Sequence, residues 1–368
     1  MNWVLELYLG ICGALLLYYL VFFRKLLFFK PKQYAPEKLP PVSVVICAKN
    51  EAENLEKNLK VVLIQNYPKF EVIVVNDQST DATAKVVEKY IERNPNLRLI
   101  NIKKDIEKPM LGKKFPLKVG IEAAIYETIA VTDADCKPSN TLWLQHLIAD
   151  FLHETKFVLG YAPFTKASGF INKLIRFDNV MTAMQYFSYA LMGMPYMGVG
   201  RNMAFKKSVF QEWNGFEKYK HVISGDDDLF VNANAKTSST EIALNKDSFI
   251  YSQPKATYAE WMTQKSRHAK TSYHYKLHHR LLLFLFALLN FAVYLTPLLF
   301  VFYPEQYIFG LIAIFGTVLV KFVFHARISG KLNNHDLIPY LPILDFIFVI
   351  NLPLLFFKSL TSPNKEWK

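Results

Sequence analysis

Thr132-Asp133-Ala134-Asp135 sets two carboxylates two residues apart at the end of an apolar run. On an extended chain residues i and i+2 point to one side, so Asp133 and Asp135 can act together. Paired carboxylate oxygens suit a hard divalent cation, Mg2+ or Mn2+, shared with phosphate oxygens. Such a cation stabilises the charge on a departing nucleoside diphosphate. A second acidic group, Ser224-Gly225-Asp226-Asp227-Asp228, sets three carboxylates in a row. Crowded like charges favour proton uptake, so one of Asp226, Asp227 and Asp228 is a candidate general base on an acceptor hydroxyl. An exposed acidic loop is the plainer alternative.

Asp77 ends another apolar run, within Val75-Asn76-Asp77-Gln78-Ser79-Thr80-Asp81. A carboxylate there can accept hydrogen bonds from a base or a ribose, although Asp and Asn also favour turns for their own sake. Asp81 reads as a helix cap. Gly112-Lys113-Lys114 offers two cations in a loop, for a phosphate or for solvent. Trp261 precedes Gln264-Lys265-Ser266-Arg267-His268, where Arg267 can bind a diphosphate and the indole can stack on a sugar. A basic surface helix would look the same. His274, His278 and His279 include an i, i+4 pair but no H-E-x-x-H pattern, and read as interfacial residues beside a membrane.

The elements that must position these groups alternate. Val42–Cys47, short, apolar and rich in β-branched residues, reads as a buried strand, and Phe70–Val75, Leu97–Ile102 and Thr128–Thr132 read as three further strands. Helical patterns run over Ala52–Leu63, Ala82–Arg93 and Lys118–Tyr126. Strands separated by helices predict an α/β fold with a mostly parallel central sheet. Ligands of such sheets gather at the carboxyl ends of the strands. Glu51, Asp77 and the Asp133/Asp135 pair all fall at such ends.

The rest of the chain points to a membrane. Hydrophobic residues make up 52% of 368, and the formal charge is +12. Trp3–Phe23, between Asn2 and a basic stretch of Arg24, Lys25, Lys30, Lys32 and Lys38, is long enough to span a bilayer. Positive residues mark the cytoplasmic side, so the N-terminus is expected outside and the following domain in the cytoplasm, at the plasma (inner) membrane. Leu281–Phe302 and Gln306 to about Val320 read as a hairpin of spans, with Lys321, His325, Arg327 and Lys331 beyond it. Ile338–Phe357, with three prolines and Asp345, either crosses or dips and returns. An intramembrane carboxylate is costly, which makes Asp345 a functional candidate by default, or a residue at a broken helix. Phe170–Met194 carries apolar residues at helical spacing and reads as an interfacial helix or a core helix. Cys12, Cys47 and Cys136 have neither disulfide nor zinc spacing. The expected organisation is an anchor at 1–29, a cytoplasmic domain at 30–280 and a membrane region at 281–368. The basic balance fits anionic lipid, and the spans argue against a nucleic-acid partner.

Between Pro41 and His268 the ordered motifs resemble family-2 glycosyltransferases, the inverting enzymes of the GT-A fold. The carrying residues are Asn50-Glu51-Ala52-Glu53-Asn54-Leu55, the Asp77 segment, Gly112-Lys113-Lys114, Asp133-Ala134-Asp135, Gly225-Asp226-Asp227-Asp228 and Gln264 to His268. The resemblance implies a GT-A nucleotide-diphospho-sugar transferase domain. Glu51, Asp77, Lys113, Lys114, Asp133, Gln264 and Arg267 would bind the nucleotide sugar, and Asp133 and Asp135 the metal. The family's later Glu-Asp pair matches Asp226-Asp227, which makes Asp227 the expected base, with Asp226 and Asp228 as rivals. Gly198 to Ala204 resembles the segment shaping the acceptor side, adding Gly200, Arg201 and Asn202 to Trp261 and His268 there. His268 stands where the membrane-embedded synthases of this family carry Trp.

The expected reaction is a single displacement with inversion onto a lipid-linked or saccharide acceptor at the cytoplasmic face. The alternatives are a processive polysaccharide synthase and a non-catalytic membrane scaffold that keeps the fold.

Overall fold

The computed structural model describes residues 3–31, 39–103, 105–149, 151 and 154–361. Asn2, Lys32 and Lys38, used in the topology reading, lie outside the described residues. The described residues form two compact units, one within 30–165 and 193–254, the other within 3–29, 166–192 and 255–361.

The first unit is built on a seven-stranded sheet ordered β3-β2-β1-β4-β7-β6-β8. Its strands are β1 (Val42–Ala48), β2 (Phe70–Asp77), β3 (Leu97–Ile102), β4 (Thr128–Asp133), β6 (Phe157–Gly160), β7 (Met203–Lys206) and β8 (Thr240–Ala243). Two short strands, β5 (Lys137–Pro138) and β9 (Ile250–Tyr251), pair separately. β1, β2, β3 and β4 are mutually parallel, while β7 runs antiparallel to both β4 and β6. The sheet is therefore mostly parallel, as the alternating pattern predicts. All seven residues of β1 are buried. Full burial of each Val or Ile there contributes about 1.5–3 kcal/mol.

Helices Ala52–Leu63, Thr83–Ile91 and Lys114–Ala123 connect the parallel strands. The last begins four residues earlier than the predicted Lys118. Pro116 explains the difference: in the first turn a proline forfeits no helix hydrogen bond and its fixed φ suits the start. Lys113 is thus the residue before the helix, and Lys114 lies in its first turn rather than in a loop. Gly120 lets this helix sit directly on the sheet, since a Cβ would come 2.5 Å from Val45 and 2.9 Å from Val75.

Among the described residues, the second unit holds four helical stretches long and apolar enough to cross a membrane: Trp3–Phe28, Leu277–Phe302, Pro304–Lys331 and His335–Thr361. Their mean hydropathy is 2.0 to 2.2. The helix of the third stretch, Tyr307–Lys331, does not stop before Lys321 as the charge pattern suggests. Lys321 and His325 lie inside it, both buried. The reason is a counter-charge: Asp345, on the helix Leu341–Thr361, sits 2.6 Å from Lys321 Nζ and accepts a 2.6 Å hydrogen bond from Tyr294. His325 Nε2 meets the Tyr19 hydroxyl at 2.9 Å. Such groups survive away from water only when paired.

Phe170–Leu191 is a helix buried on nearly every side. Arg176 forms a two-pronged pair with Asp336 at 2.7 and 2.8 Å and also donates to Asn334. Lys25 donates to the carbonyl of Leu191 at its C-terminal end.

Candidate active site

Strand register brings the acidic groups to one edge. Cys47 of β1 pairs with both Val75 of β2 and Asp133 of β4, so the three strands end level. Asp77, the last residue of β2, and the loops carrying Glu51 and Asp135 therefore lie at the same side. β7 is antiparallel, with Met203 opposite Val131. Its beginning, and hence the Gly198–Asn202 segment, falls at that same carboxyl edge.

The first two loops interlock. Asn50 and Gln78 both take left-handed backbone, at φ 56°. Asn50 Oδ1 accepts from the Thr80 backbone N–H at 2.8 Å, and Ser79 Oγ accepts from the Asn50 N–H at 2.9 Å. Glu51 donates its N–H to Thr83 Oγ1 at 2.9 Å, and its carboxylate accepts from Asn54 at 2.5 Å. Asp81 is the expected cap, but for two helices: it accepts from Thr83 N–H at 3.0 Å and from Ala52 N–H at 3.1 Å. Asn and Asp tolerate such turns because their side chains satisfy local N–H groups.

Asp77 is fully buried, and Lys108 Nζ lies 2.7 Å from one of its oxygens and 2.8 Å from the other. Lys108 carries no motif signal, and reading it from sequence would need the path of the loop after β3. Lys113 is buried and ion-paired with Asp133. Burial alone would lower the lysine's proton affinity, but Asp133 outweighs it and holds the ammonium well above its ordinary value. Lys114 is fully buried and donates to the carbonyls of Val222 and Ser224, the latter at 2.6 Å. Burial pushes its proton affinity down, against the opposing pull of Asp226. The Gly-Lys-Lys segment is thereby tied to the strand of chain leading into Asp226. Gly112, at φ +70°, makes room for the carbonyl of Ile223.

Asp135 is pushed up from the usual carboxylate range by burial and by Asp133, with Arg201 acting the other way. One ligand atom each from Asp133, Asp135 and Cys136 lies within 4.8 Å of the other two. Two neighbouring carboxylates repel one another and a cation relieves that repulsion, so this donor set fits a divalent ion. The thiol is the softest of the three donors.

The three aspartates separate into different environments. Asp227 caps the helix Asp228–Asn234, with Oδ1 accepting from Asp228 N–H at 2.7 Å and Oδ2 from Gly200 N–H at 2.8 Å. Gly200 eases that approach, since a Cβ would stand 3.2 Å from Asp227 Cβ, close enough that the neighbour would have to give by a few tenths of an ångström. Asp228 is buried and accepts from Leu229 N–H. Among the described residues none donates a hydrogen bond to Asp226, whose proton affinity is raised by burial and by Asp227.

Arg201 lies over the Phe164 ring at 4.5 Å and donates to Ser252 and to the carbonyl of Ala162. Asn202 is turned inward: it accepts from Trp143 Nε1 and donates to the carbonyls of Tyr161 and Ser248. It holds the backbone of the Gly198–Asn202 segment in place.

Trp261, Gln264, Arg267 and His268 belong to the other unit, on the helix Tyr258–Thr271. Thr257 and Glu260 cap that helix reciprocally. Trp261 is buried, Gln264 and Arg267 are half-buried, and His268 is exposed. The helix is fastened within its unit by Lys265 to Asp178 at 2.9 Å and by Tyr258 to Asn351 at 2.6 Å.

The acidic and lysine-rich sheet edge is that of a glycosyltransferase, and the chain also carries helices long and apolar enough to cross a membrane. The model of glycosyl transferase family 21 matches residues 7–368, and the chain belongs to that family. Glycosyltransferase AglE of Haloferax volcanii is 31% identical over 196 residues, 51% of this chain and 59% of that relative. Probable glycosyltransferase YdaM of Bacillus subtilis is 24% identical over 81% of this chain and 75% of its own. Among solved structures, the mannosyltransferase PcManGT of Pyrobaculum calidifontis, in complex with GDP-Man and Mn2+, superposes with a TM-score of 0.56 at 19% identity. The superposition covers 94% of this chain and 99% of that one. It establishes a shared fold.

Proposed function

We propose that this glycosyltransferase moves a sugar, with inversion, from a nucleoside-diphosphate sugar to a lipid-linked or saccharide acceptor at the cytoplasmic face of the plasma membrane. The observation that carries the reading is the gathering of Asp77, Asp133, Asp135, Lys113 and Gly200-tethered Asp227 along one sheet edge. Glu51 and Asp77 line the nucleotide end. Asp133 and Asp135 hold a divalent cation, Mn2+ or Mg2+, and the Mn2+ of the mannosyltransferase supports that choice. Bound there, the cation supplies Lewis-acid stabilisation of the leaving diphosphate. Lys113, kept cationic by Asp133, adds positive charge beside it, and Lys114 holds the chain leading into Asp226 through the carbonyls of Val222 and Ser224.

Asp227 takes the acceptor's proton. Its two backbone bonds fix the carboxylate plane and leave one lone pair on each oxygen. A second reading puts the base on Asp226, favoured by its unengaged oxygens and raised proton affinity. For Gln264, Arg267, Trp261 and His268 the proposal rests on the motif alone. The domain reading, a cytoplasmic catalytic domain over 30–280 with Phe170–Met194 at the interface, is likewise part of the proposal.

The test is release of nucleoside diphosphate from a panel of sugar donors by the purified full chain, with Mn2+ or Mg2+ and membrane lipid extract. At least one donor should be turned over, and chelation should stop it. No release from any donor would sink the proposal, and full activity in chelator would remove the metal from it.

A further inference from the structure

We infer that Lys108 is a nucleotide-binding residue that pairs with Asp77 to read the edge of the donor's base. The inference rests on the reading of Asp77 as a nucleotide contact and adds a partner no motif marks. Asp77 has no exposed surface, and both its oxygens face the Lys108 ammonium at 2.7 and 2.8 Å. A ligand can reach that carboxylate only beside Lys108 or in its place. The lysine is not a stray surface chain. Its loop is pinned to the end of β2 by Gln78, whose Nε2 donates to the carbonyls of Lys103 at 2.9 Å and Ile106 at 3.0 Å. Gln78 reaches them because its backbone is left-handed, at φ 56°. The same loop end is fastened at Leu111, whose N–H donates to the carbonyl of Lys220 at 2.9 Å.

A carboxylate accepts and an ammonium only donates. Side by side they complement a base edge that offers a donor next to an acceptor. Lys108 hydrogen-bonds Oδ2 alone, so buried Oδ1 is the oxygen left to take the base's N–H while another ammonium hydrogen turns to the base. The lysine thus keeps the buried carboxylate compensated before and after binding, which removes the cost of leaving a buried charge unpaired.

The experiment is equilibrium binding of UDP, GDP, ADP and CDP, and separately of inorganic diphosphate, to the full chain in detergent with Mn2+. Parent, Lys108→Met, Lys108→Arg and Asp77→Asn are compared, each checked for an unchanged thermal transition. For the nucleotide the parent binds most tightly, Lys108→Met should weaken binding about tenfold or more, and Lys108→Arg should retain most of it. Inorganic diphosphate should bind parent and Lys108→Met alike. Equal losses for nucleotide and inorganic diphosphate would make Lys108 a phosphate contact and overturn the inference. Unchanged or tighter nucleotide binding by Lys108→Met, with Asp77→Asn weakened, would overturn it while leaving Asp77 its role. Nucleotide binding untouched in Asp77→Asn would overturn the reading of Asp77 and this inference together.

Discussion

Replacing Asp227 with Asn is the sharpest perturbation the candidate site offers. The amide is isosteric, and its oxygen can still accept one of the two backbone bonds now held by Asp227, from Gly200 at 2.8 Å or from Asp228 at 2.7 Å. Asn caps helices about as well as Asp, so keeping the Asp228 bond leaves the helix start nearly intact. The Gly200 N–H then faces an NH2 group, and an unsatisfied donor costs about 1–3 kcal/mol of stability. The catalytic loss should be larger. An amide cannot take the acceptor's proton, and losing a general base lowers rate about 10²–10⁴-fold, or about 3–5 kcal/mol of barrier. The assay is nucleoside diphosphate release with donor and lipid extract, beside donor binding and thermal unfolding. Asp227→Asn should lose most turnover, bind donor as before and melt slightly lower. Near-normal turnover would refute the assignment. If Asp226→Asn is then the inactive variant, the base moves one residue back.

Gly200→Ala should leave donor binding unchanged and lower kcat roughly threefold to tenfold, because its Cβ would press to 3.3 Å from Asp227 Oδ2; parent-like kcat would show that the contact yields freely. Asp81→Ala should cost about 1–2 kcal/mol, measured by chemical unfolding, because two helix starts lose an acceptor. Slight burial acts to raise the Asp81 carboxyl, but bonds from Thr83 and Ala52 hold it below its ordinary value. Its contribution is therefore full above the unfolded value of about 3.9 and fades as pH falls through the lower folded one, so the parent–variant gap should close in acid. Lys321→Met should destabilise the helical unit by about 3–5 kcal/mol, since Asp345 is left buried with the Tyr294 hydroxyl and the more distant His325, at 3.8 Å. Lys321→Met with Asp345→Leu should recover most of the loss in thermal unfolding, and a single variant that melts like the parent would make the pair dispensable.

The half of the sheet formed by β1 to β4 is legible in sequence because apolar and β-branched residues dominate each strand and a polar segment closes it, even in β3, which exposes Arg98 and Asn101. Helix Ala52–Leu63 matches its expected bounds, and Asp81 declares its capping role by position. β5 to β9 carry no such signal, being strands of two to four residues whose partners lie far along the chain. Long-range contacts explain the other differences. Lys114 reads as a loop cation, yet its acceptors are carbonyls 108 and 110 residues away. Lys321 reads as a flanking charge until Asp345 appears opposite it. Asn202 falls in a motif but spends its amide on Trp143, Tyr161 and Ser248. A residue type announces what a side chain can bond, and only the fold decides which partner arrives first.

The direction of β7 matters most for the site. Had β7 run parallel to β4, its start would lie at the amino edge of the sheet, a strand's length from Asp133. Four residues at about 3.3 Å each amount to roughly 13 Å, beyond the reach of any backbone N–H to Asp227. Antiparallel pairing sets Met203 opposite Val131, two residues before Asp133. Gly200 then arrives at the carboxyl edge with its N–H free to donate, and Asp227 is drawn to it. The reversal of one strand thus assembles groups that the parallel half of the sheet cannot supply. For this reason variants that disturb the β4–β7 pairing should lose turnover before they lose the parallel core.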